Sequence, residues 1–288
     1  MKKLLAIIMS CLMVVACCFA FGACSNSKKD VLKMVNVDLS SEQYAFAVKK
    51  TDASLLNSVN AFLSEKKTEI DAIFNKYFDE NADLSDFGSS TIQTEPTGND
   101  NELVVATNLD FAPFEYTNGN KIAGIDMEIA QLLANYLNKT LVVVNMQFEA
   151  VVTSVQTLDT YDIGMAGLTI DEERKEQVNF SDAYFGTTQV LVVKADDATF
   201  NGLKTAEAVE SKLASLTGNA AKCGGQKATT SQFYIEGDEG LGFNGFANLT
   251  FSPYASAALA VQDMINGNIS FVVVDKTTAA AIIKGFNN

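Results

Sequence analysis

The stretch 163-IGMAGLTIDEERKEQVNFSDAY-184 decides how the rest of the chain is organised. Residues 163–168 form an apolar run with the length and composition of a buried strand. The run breaks at Thr169, which stands three residues before Glu172 in capping-box spacing. A strand that passes straight into a helix start gathers free backbone N–H groups and the positive end of a helix dipole. Arg174, one turn in, adds a planar two-pronged donor. Such a junction can seat a small carboxylate. The same residues also suit an ordinary capped helix with a solvated arginine, so the rest of the chain has to decide.

Working outward, residues 102–193 alternate strands and helices. A strand at 103–107 is followed by a helix at 126–138, with Ile129, Leu132, Leu133, Tyr136 and Leu137 on one side and Asp126 as its N-cap. A strand at 141–144 and a helix after Phe148 come next, then the opening stretch, then a strand at 190–193. This alternation predicts a mostly parallel sheet covered on both faces, with ligands at the carboxyl ends of its strands. Asn108, Phe111, Phe148 and Thr169 all fall just past such ends.

A second region, 194–288, reads as a helix at 205–216, a Gly-rich turn at 223–226 followed by Lys227-Ala228-Thr229-Thr230, and a helix at 256–266. A strand at 270–274, ended by Asp275, and a helix at 277–284 complete it. An open α/β lobe that stops there lacks a closing strand. At the other end of the chain, 31–37 and 43–48 suit strands. Leu55, Val59, Phe62, Leu63, Ile70, Ile73, Phe74 and Tyr77 then mark one face of a helix kinked near 66–69. Residues 80–101 turn acidic and polar, with Pro96 among them, and read as a linker.

The first residues carry Lys2 and Lys3, an apolar run at 4–21, and Gly22-Ala23-Cys24, the pattern of a secretory signal. The placement of Cys24 resembles a bacterial lipobox, which implies cleavage before it and a lipid on its sulfur, with 24–30 as tether. Of five cysteines, Cys11, Cys17 and Cys18 go with the leader and Cys24 takes the lipid, so Cys223 stands alone and no internal disulfide is expected. Loss of residues 1–23 removes two lysines and takes the net charge from −14 to −16. That acidity excludes nucleic acid and anionic membrane surfaces as natural partners. There is no histidine and no metal-ligand cluster, so neither a cofactor nor a metal is expected.

Four blocks, LVVATNLDFAPFEY (103–116), MQFEAVVTSVQ (146–156), the opening stretch (163–184) and GNISFVVVDKTTAAAI (267–282), resemble the amino-acid-binding members of extracellular solute-binding protein family 3. The resemblance implies a two-lobed, type II periplasmic-binding-protein-like α/β fold, each lobe a mostly parallel sheet flanked by helices, that closes about a two-strand hinge. It further implies a monomeric receptor, lipid-anchored at the extracellular face of the membrane or in the periplasm, that hands a free amino acid to the permease of an ABC importer. A sensory receptor and a cyclohexadienyl-dehydratase-like enzyme are the alternatives on this fold. The family's closing strand and C-terminal helix are missing after residue 288, yet 31–78 looks like that tail placed in front. A circular permutation follows: lobe 1 from 44–79 and 101–190, lobe 2 from 31–43 and 191–288, with 80–100 joining the family's usual ends.

Carried over residue by residue, the resemblance implies that Arg174 and the hydroxyl and N–H of Thr169 hold the ligand carboxylate. Thr229 and Thr230 add second-lobe contacts to it, although Ala228 stands where the family has glycine. The Gly167 carbonyl and Asp275 would receive the α-ammonium, Phe111 and Phe148 would sandwich the side chain, and Gln226 would touch it. Asn108 stands where relatives for basic ligands carry a carboxylate, which implies a neutral, polar amino acid. Glu149 reads as an exposed residue at a helix start.

Overall fold

The computed structural model describes residues 30–287. The leader, Cys24 and most of the tether lie outside the described residues. Two five-stranded sheets organise the chain. The first runs Val178–Phe180, Ala47–Lys49, Ile163–Gly164, Glu102–Thr107, Thr140–Asn145, and the second Leu32–Val35, Gln189–Lys194, Phe271–Asp275, Lys222–Gln226, Thr250–Tyr254. Strands alternate their side chains between two faces, and the second sheet uses this fully. Leu191, Val193, Phe271 and Val273 enter one core, while Val190, Val192, Val272 and Val274 enter the other. The first sheet does the same, with Leu103 and Val105 on one side and Ala106 and Ala47 on the other. Continuous apolar strands of this kind form because both faces are covered.

Neither sheet is mostly parallel, which corrects the expectation from strand-helix alternation. In each, two strand pairs are parallel and two antiparallel. The antiparallel members are the strands next to the crossings between lobes. There Glu42–Tyr44 pairs with Phe185–Thr187 in a separate two-stranded ribbon, at the place of the two-strand hinge that the family resemblance implies. What reads as one strand at 43–48 is therefore two, in two different sheets.

The segment 31–78 is not a separate unit. Leu32–Val35 closes the edge of the second sheet against Gln189–Lys194. Two helices, Ala53–Glu65 and Lys67–Phe78, break at Lys66 and bury Val59, Phe62, Ile70 and Tyr77 in the first lobe's core. The two ends of the described residues meet: Asn287 accepts from the N–H of Val31 at 2.9 Å and donates to the Leu32 carbonyl at 3.0 Å. The segment 80–101 lies along the first lobe. It pairs Ser89 with Ile122 and Gln93 with Val142, and it caps the buried Glu102 carboxylate with Thr97 and Gln93.

Residues 222–226 form an interior strand of the second sheet, buried from Cys223 to Gln226, not a turn. Glycine is needed there for packing. A Cβ on Gly224 would come within 2.6 Å of the Tyr254 ring and one on Gly225 within 2.9 Å of the Val273 carbonyl. Two expected helix caps also differ. Gly124, not Asp126, precedes the helix Ile125–Tyr136, and Asp171, not Thr169, caps Glu172–Gln177 by accepting from the Arg174 N–H at 2.7 Å. In both cases the expected residue points into the protein and bonds across the fold.

Candidate functional site

The carboxyl ends of strands from both sheets converge on one cleft. From the first lobe come Phe111, Phe148, Ala166, Gly167, Thr169 and Arg174, and from the second Gln226, Thr229, Thr230 and Asp275. Among the residues singled out from sequence, Asn108 does not line it. The two lobes are shut on each other, and the free space left, about 10 Å³ to a water-sized sphere, is on the scale of a single water. Admission of anything larger requires the lobes to part.

Arg174 is buried, and each of its three side-chain nitrogens is engaged. Nε pairs with Asp171 at 3.1 Å, Nη1 donates to the Thr169 carbonyl at 2.8 Å, and Nη2 donates across the cleft to the Ala228 carbonyl at 3.0 Å. The guanidinium lies 5.5 Å from the Phe148 ring centre, so that ring supports the arginine from one side. Two of its donors rest on neutral carbonyls, which a carboxylate can displace at a gain, since ionised acceptors bind about twice as strongly.

Ala228 reaches this carbonyl position with φ +58°, in the left-handed region where an L side chain is strained. Ala228→Gly relieves about 1 kcal/mol of that strain, partly offset by the freer unfolded chain. The ligand-free protein is therefore expected to melt a degree or two higher on roughly that scale. Ligand affinity should be unchanged, because the carbonyl stays in place. Thermal melts with and without ligand check this.

At the opposite end, Asp275 is buried and accepts from the Tyr44 hydroxyl at 2.5 Å. Burial first, then the nearby Glu42 charge, push its carboxyl up to about 7, against the pull of its bonds to Tyr44 and Gln189. Gly167 holds φ +53° directly against Phe111, and a Cβ there would meet that ring at 3.1 Å. Its N–H is held by Asp126 at 3.0 Å, whose other oxygen accepts from Tyr184 at 2.7 Å. Asp126 is itself raised to about 6 by burial. Glu115, fully buried beside it, is held well above the usual carboxylate range by burial and then by the Asp126 charge.

Two sequence expectations change here. Asn108 is buried behind the cleft, where its amide donates to the Met146 carbonyl at 2.8 Å and accepts from Gln226 Nε2 at 2.8 Å. A short polar side chain at a strand end found backbone and a facing amide before it could reach the cleft. The Thr169 hydroxyl, expected to donate to a ligand carboxylate, donates to Glu42 at 2.9 Å. Thr230 reaches Thr169 across the lobes at 3.3 Å, and Thr229 bonds the Gln226 carbonyl at 2.8 Å. Glu149, at its helix start, pairs across the cleft mouth with Lys227 at 2.9 Å. Glu42 was not singled out from sequence. The signal that could have found it is its i, i+2 spacing from Tyr44, which puts both on one face of a strand.

Gln226 is fixed in orientation. Its Nε2 donates to the Ala255 carbonyl at 3.2 Å as well as to Asn108, and a carbonyl can only accept. That leaves its Oε1 buried without a hydrogen-bond partner among the described residues. Cys223 is buried and its thiol is pushed up to about 12, so it is poorly suited to act as a nucleophile.

The model for bacterial extracellular solute-binding proteins, family 3, matches residues 103–285. The arginine-binding extracellular protein ArtP of Bacillus subtilis (strain 168) is 36% identical over 95 residues, 33% of this chain and 37% of that protein. Cyclohexadienyl dehydratase of Pseudomonas aeruginosa is 36% identical over 105 residues, 35% of this chain and 38% of the enzyme. An ancestral arginine-binding protein bound to arginine superposes with a TM-score of 0.55 at 30% identity, over 65% of this chain and 76% of that one. The chain spans about two thirds or less of the length of the curated relatives it matches. Because the family match runs from the first long strand of one lobe into the last helix of the other, more than half of the 288 residues, the chain belongs to the bacterial extracellular solute-binding proteins, family 3.

Proposed function

We propose that this chain is a receptor that captures a free α-amino acid by closure of its two lobes and delivers it to the permease of an ABC importer. The observation that carries the reading is the pair of opposite charges lining one closed cleft. Arg174 comes from the first lobe with donors parked on carbonyls, and Asp275 comes from the second lobe beside Tyr44. The ligand carboxylate takes over the Arg174 donors. Its ammonium goes to Asp275 and the Gly167 carbonyl, and its side chain lies against Phe111. A ligand that touches both lobes stabilises the closed arrangement over the open one.

The side chain we assign is neutral and polar and ends in an N–H donor, as a carboxamide does. The unpartnered Oε1 of Gln226 supports the donor, and the absence of any carboxylate from the Phe111, Phe148 and Gln226 part of the lining supports neutrality. Relatives named as arginine-binding make a guanidinium the alternative. Binding without chemistry is the reading here: a prephenate-like substrate of a dehydratase brings no ammonium to the acidic end at Asp275.

The same proposal includes export, a lipid on Cys24 that holds the protein at the outer face of the membrane, and a circularly permuted order. The two lobes are then 44–79 with 101–190, and 31–43 with 191–288. The meeting of Asn287 with Val31 and Leu32, and a family match that starts at residue 103, support the permutation.

Calorimetric titration with each standard amino acid tests the function. Saturable binding is expected for an amide-bearing amino acid, with a raised melting temperature by mass action. Binding of none of them would refute the reading. Uptake measured in cells lacking the protein separates transport from sensing.

A further inference from the structure

Glu42 opens the hinge strand Glu42–Tyr44, where the chain crosses between the lobes. It is 5% exposed. Three donors converge on its carboxylate. Ser40 Oγ at 2.6 Å and Gln189 Nε2 at 3.0 Å reach Oε1, and Thr169 Oγ1 at 2.9 Å reaches Oε2. Thr169 belongs to the first lobe's cleft wall, while Gln189 begins a strand of the second sheet and is itself held by Ser231 at 3.0 Å. Two residues further along the same strand and face, Tyr44 donates to Asp275.

A carboxylate only accepts, so every proton in these bonds points at Glu42. The hydroxyl proton of Thr169 is thereby turned out of the cleft; one of its lone pairs accepts from Thr230 at 3.3 Å, and the other is what it has left to offer. Together with the Gly167 carbonyl and Asp275, this end of the cleft presents acceptors and negative charge. Glu42 does not itself line the cleft. Its effect is exerted through Thr169 and through its field on Asp275.

We propose that Glu42 is a positioning residue that makes this end of the cleft a seat for an α-ammonium, by holding the Thr169 proton away from the ligand and adding a second negative charge behind Asp275. This rests on the amino-acid reading above. Its donors come from both sides of the hinge, so the seat is complete only when the lobes are closed.

The charged and titratable groups facing this seat are Glu42 and Tyr44 from the hinge strand, Arg174 from the first lobe, and Glu115 and Asp126, which holds the Gly167 N–H, from beneath. Glu42→Gln keeps the shape. Its carbonyl oxygen can still accept from Ser40 and Gln189, while its Nε2 donates to Thr169 and reverses that hydroxyl. The full-length protein and this variant are titrated calorimetrically with L-glutamine and L-arginine from pH 5 to 8, and the ligand-free proteins are melted.

For whichever amino acid binds the parent protein, Glu42→Gln is expected to weaken it about tenfold at pH 8. The pH below which affinity falls off should move to lower values, since the Glu42 charge that adds to burial in raising Asp275 is gone. The ligand-free variant should melt no lower than the parent, because a buried like-charge pair has been relieved. Glu42→Asp, which keeps the charge, should return the pH profile to that of the parent. Unchanged affinity would overturn the proposal. So would weaker binding with a lower melting temperature and an unmoved pH profile, the mark of a merely structural residue. If none of the standard amino acids binds the parent protein, the amino-acid reading fails first and the proposal falls with it.

Discussion

Arg174→Ala is expected to reduce amino-acid affinity by two to four orders of magnitude while the protein remains folded. The arithmetic follows from the two donors aimed at carbonyls, Nη1 on Thr169 and Nη2 on Ala228, which are the ones a ligand carboxylate would take. Charge-assisted bonds contribute roughly 1.5–3 kcal/mol each, so two of them correspond to roughly 3–6 kcal/mol of binding. The fold tolerates the loss less simply. Asp171, now without its partner, keeps the Arg174 backbone N–H at 2.7 Å as helix cap, but loses the 3.1 Å ion pair and remains buried. A melting temperature a few degrees lower is therefore expected alongside the lost binding. Arg174→Lys separates the two effects. It restores charge beside Asp171 but cannot span two acceptors with one rigid fork, so stability should recover and affinity should not. Titration calorimetry and thermal melts of both variants read this out. Affinity within threefold of the parent in Arg174→Ala would remove the arginine from the site.

Asp275→Asn is expected to act in opposite directions on binding and on stability. For binding, a neutral amide cannot balance the ammonium, and a loss of roughly a hundredfold or more follows at pH 8. For stability, the sign comes from linkage. Asp275 in the closed protein is raised to about 7 by burial and then by Glu42, above the unfolded value of about 4. Its contribution to stability is therefore fully present below about pH 4 and is lost as pH rises through about 7, because the folded state holds the proton longer. At pH 8 the ligand-free protein carries an ionised Asp275 next to Glu42, and the asparagine variant is relieved of that charge, so it should melt higher than the parent. Ligand affinity runs the other way with pH. The ammonium pairs with the ionised form, so binding should weaken by roughly tenfold per unit as pH falls below about 7. A pH-independent affinity between 5 and 8 in the parent protein would contradict the assignment of Asp275 to the ammonium.

The two variants differ because their partners differ. Arg174 is already paired by Asp171, so its removal leaves a buried charge behind. Asp275 sits beside a second carboxylate, so its removal takes a buried charge away. Which polar group is costly depends on what the fold has placed next to it, and those neighbours are distant in sequence. Glu42 receives its two inter-element bonds from residues 127 and 147 positions away, and Tyr44 meets Asp275 across 231.

That separation also marks how far the chain could be read without coordinates. The apolar strands at 103–107, 190–193 and 270–274, the amphipathic helices, and the pairing of Arg174 with Thr169 at a strand-to-helix junction are written in local spacing. Burial on both faces demands continuous apolar strands, and a 3.6-residue period demands a one-sided helix. The same local rules misread residues 223–226, where glycines that look like a turn are there to admit Tyr254 and the Val273 carbonyl. They misread Asp126 as a cap because nothing nearby shows Gly167 waiting for an acceptor. They place Asn108 past a strand end, and the resemblance implies that it faces the ligand, but neither shows the Gln226 in the other lobe that claims it.

By itself, then, the sequence determined the strands and helices that build two lobes and the residue types gathered at the strand ends, which follow from periodicity and spacing, and it carried the resemblance to the family in four blocks of motif. Tertiary structure alone decided the direction of each hydrogen bond: that Thr169 donates to a hinge glutamate, that Asn108 is spent on Gln226, and that Asp275 shares its surroundings with Glu42. A hydroxyl or an amide can bond in several directions, and only the groups that folding brings within about 3 Å select one.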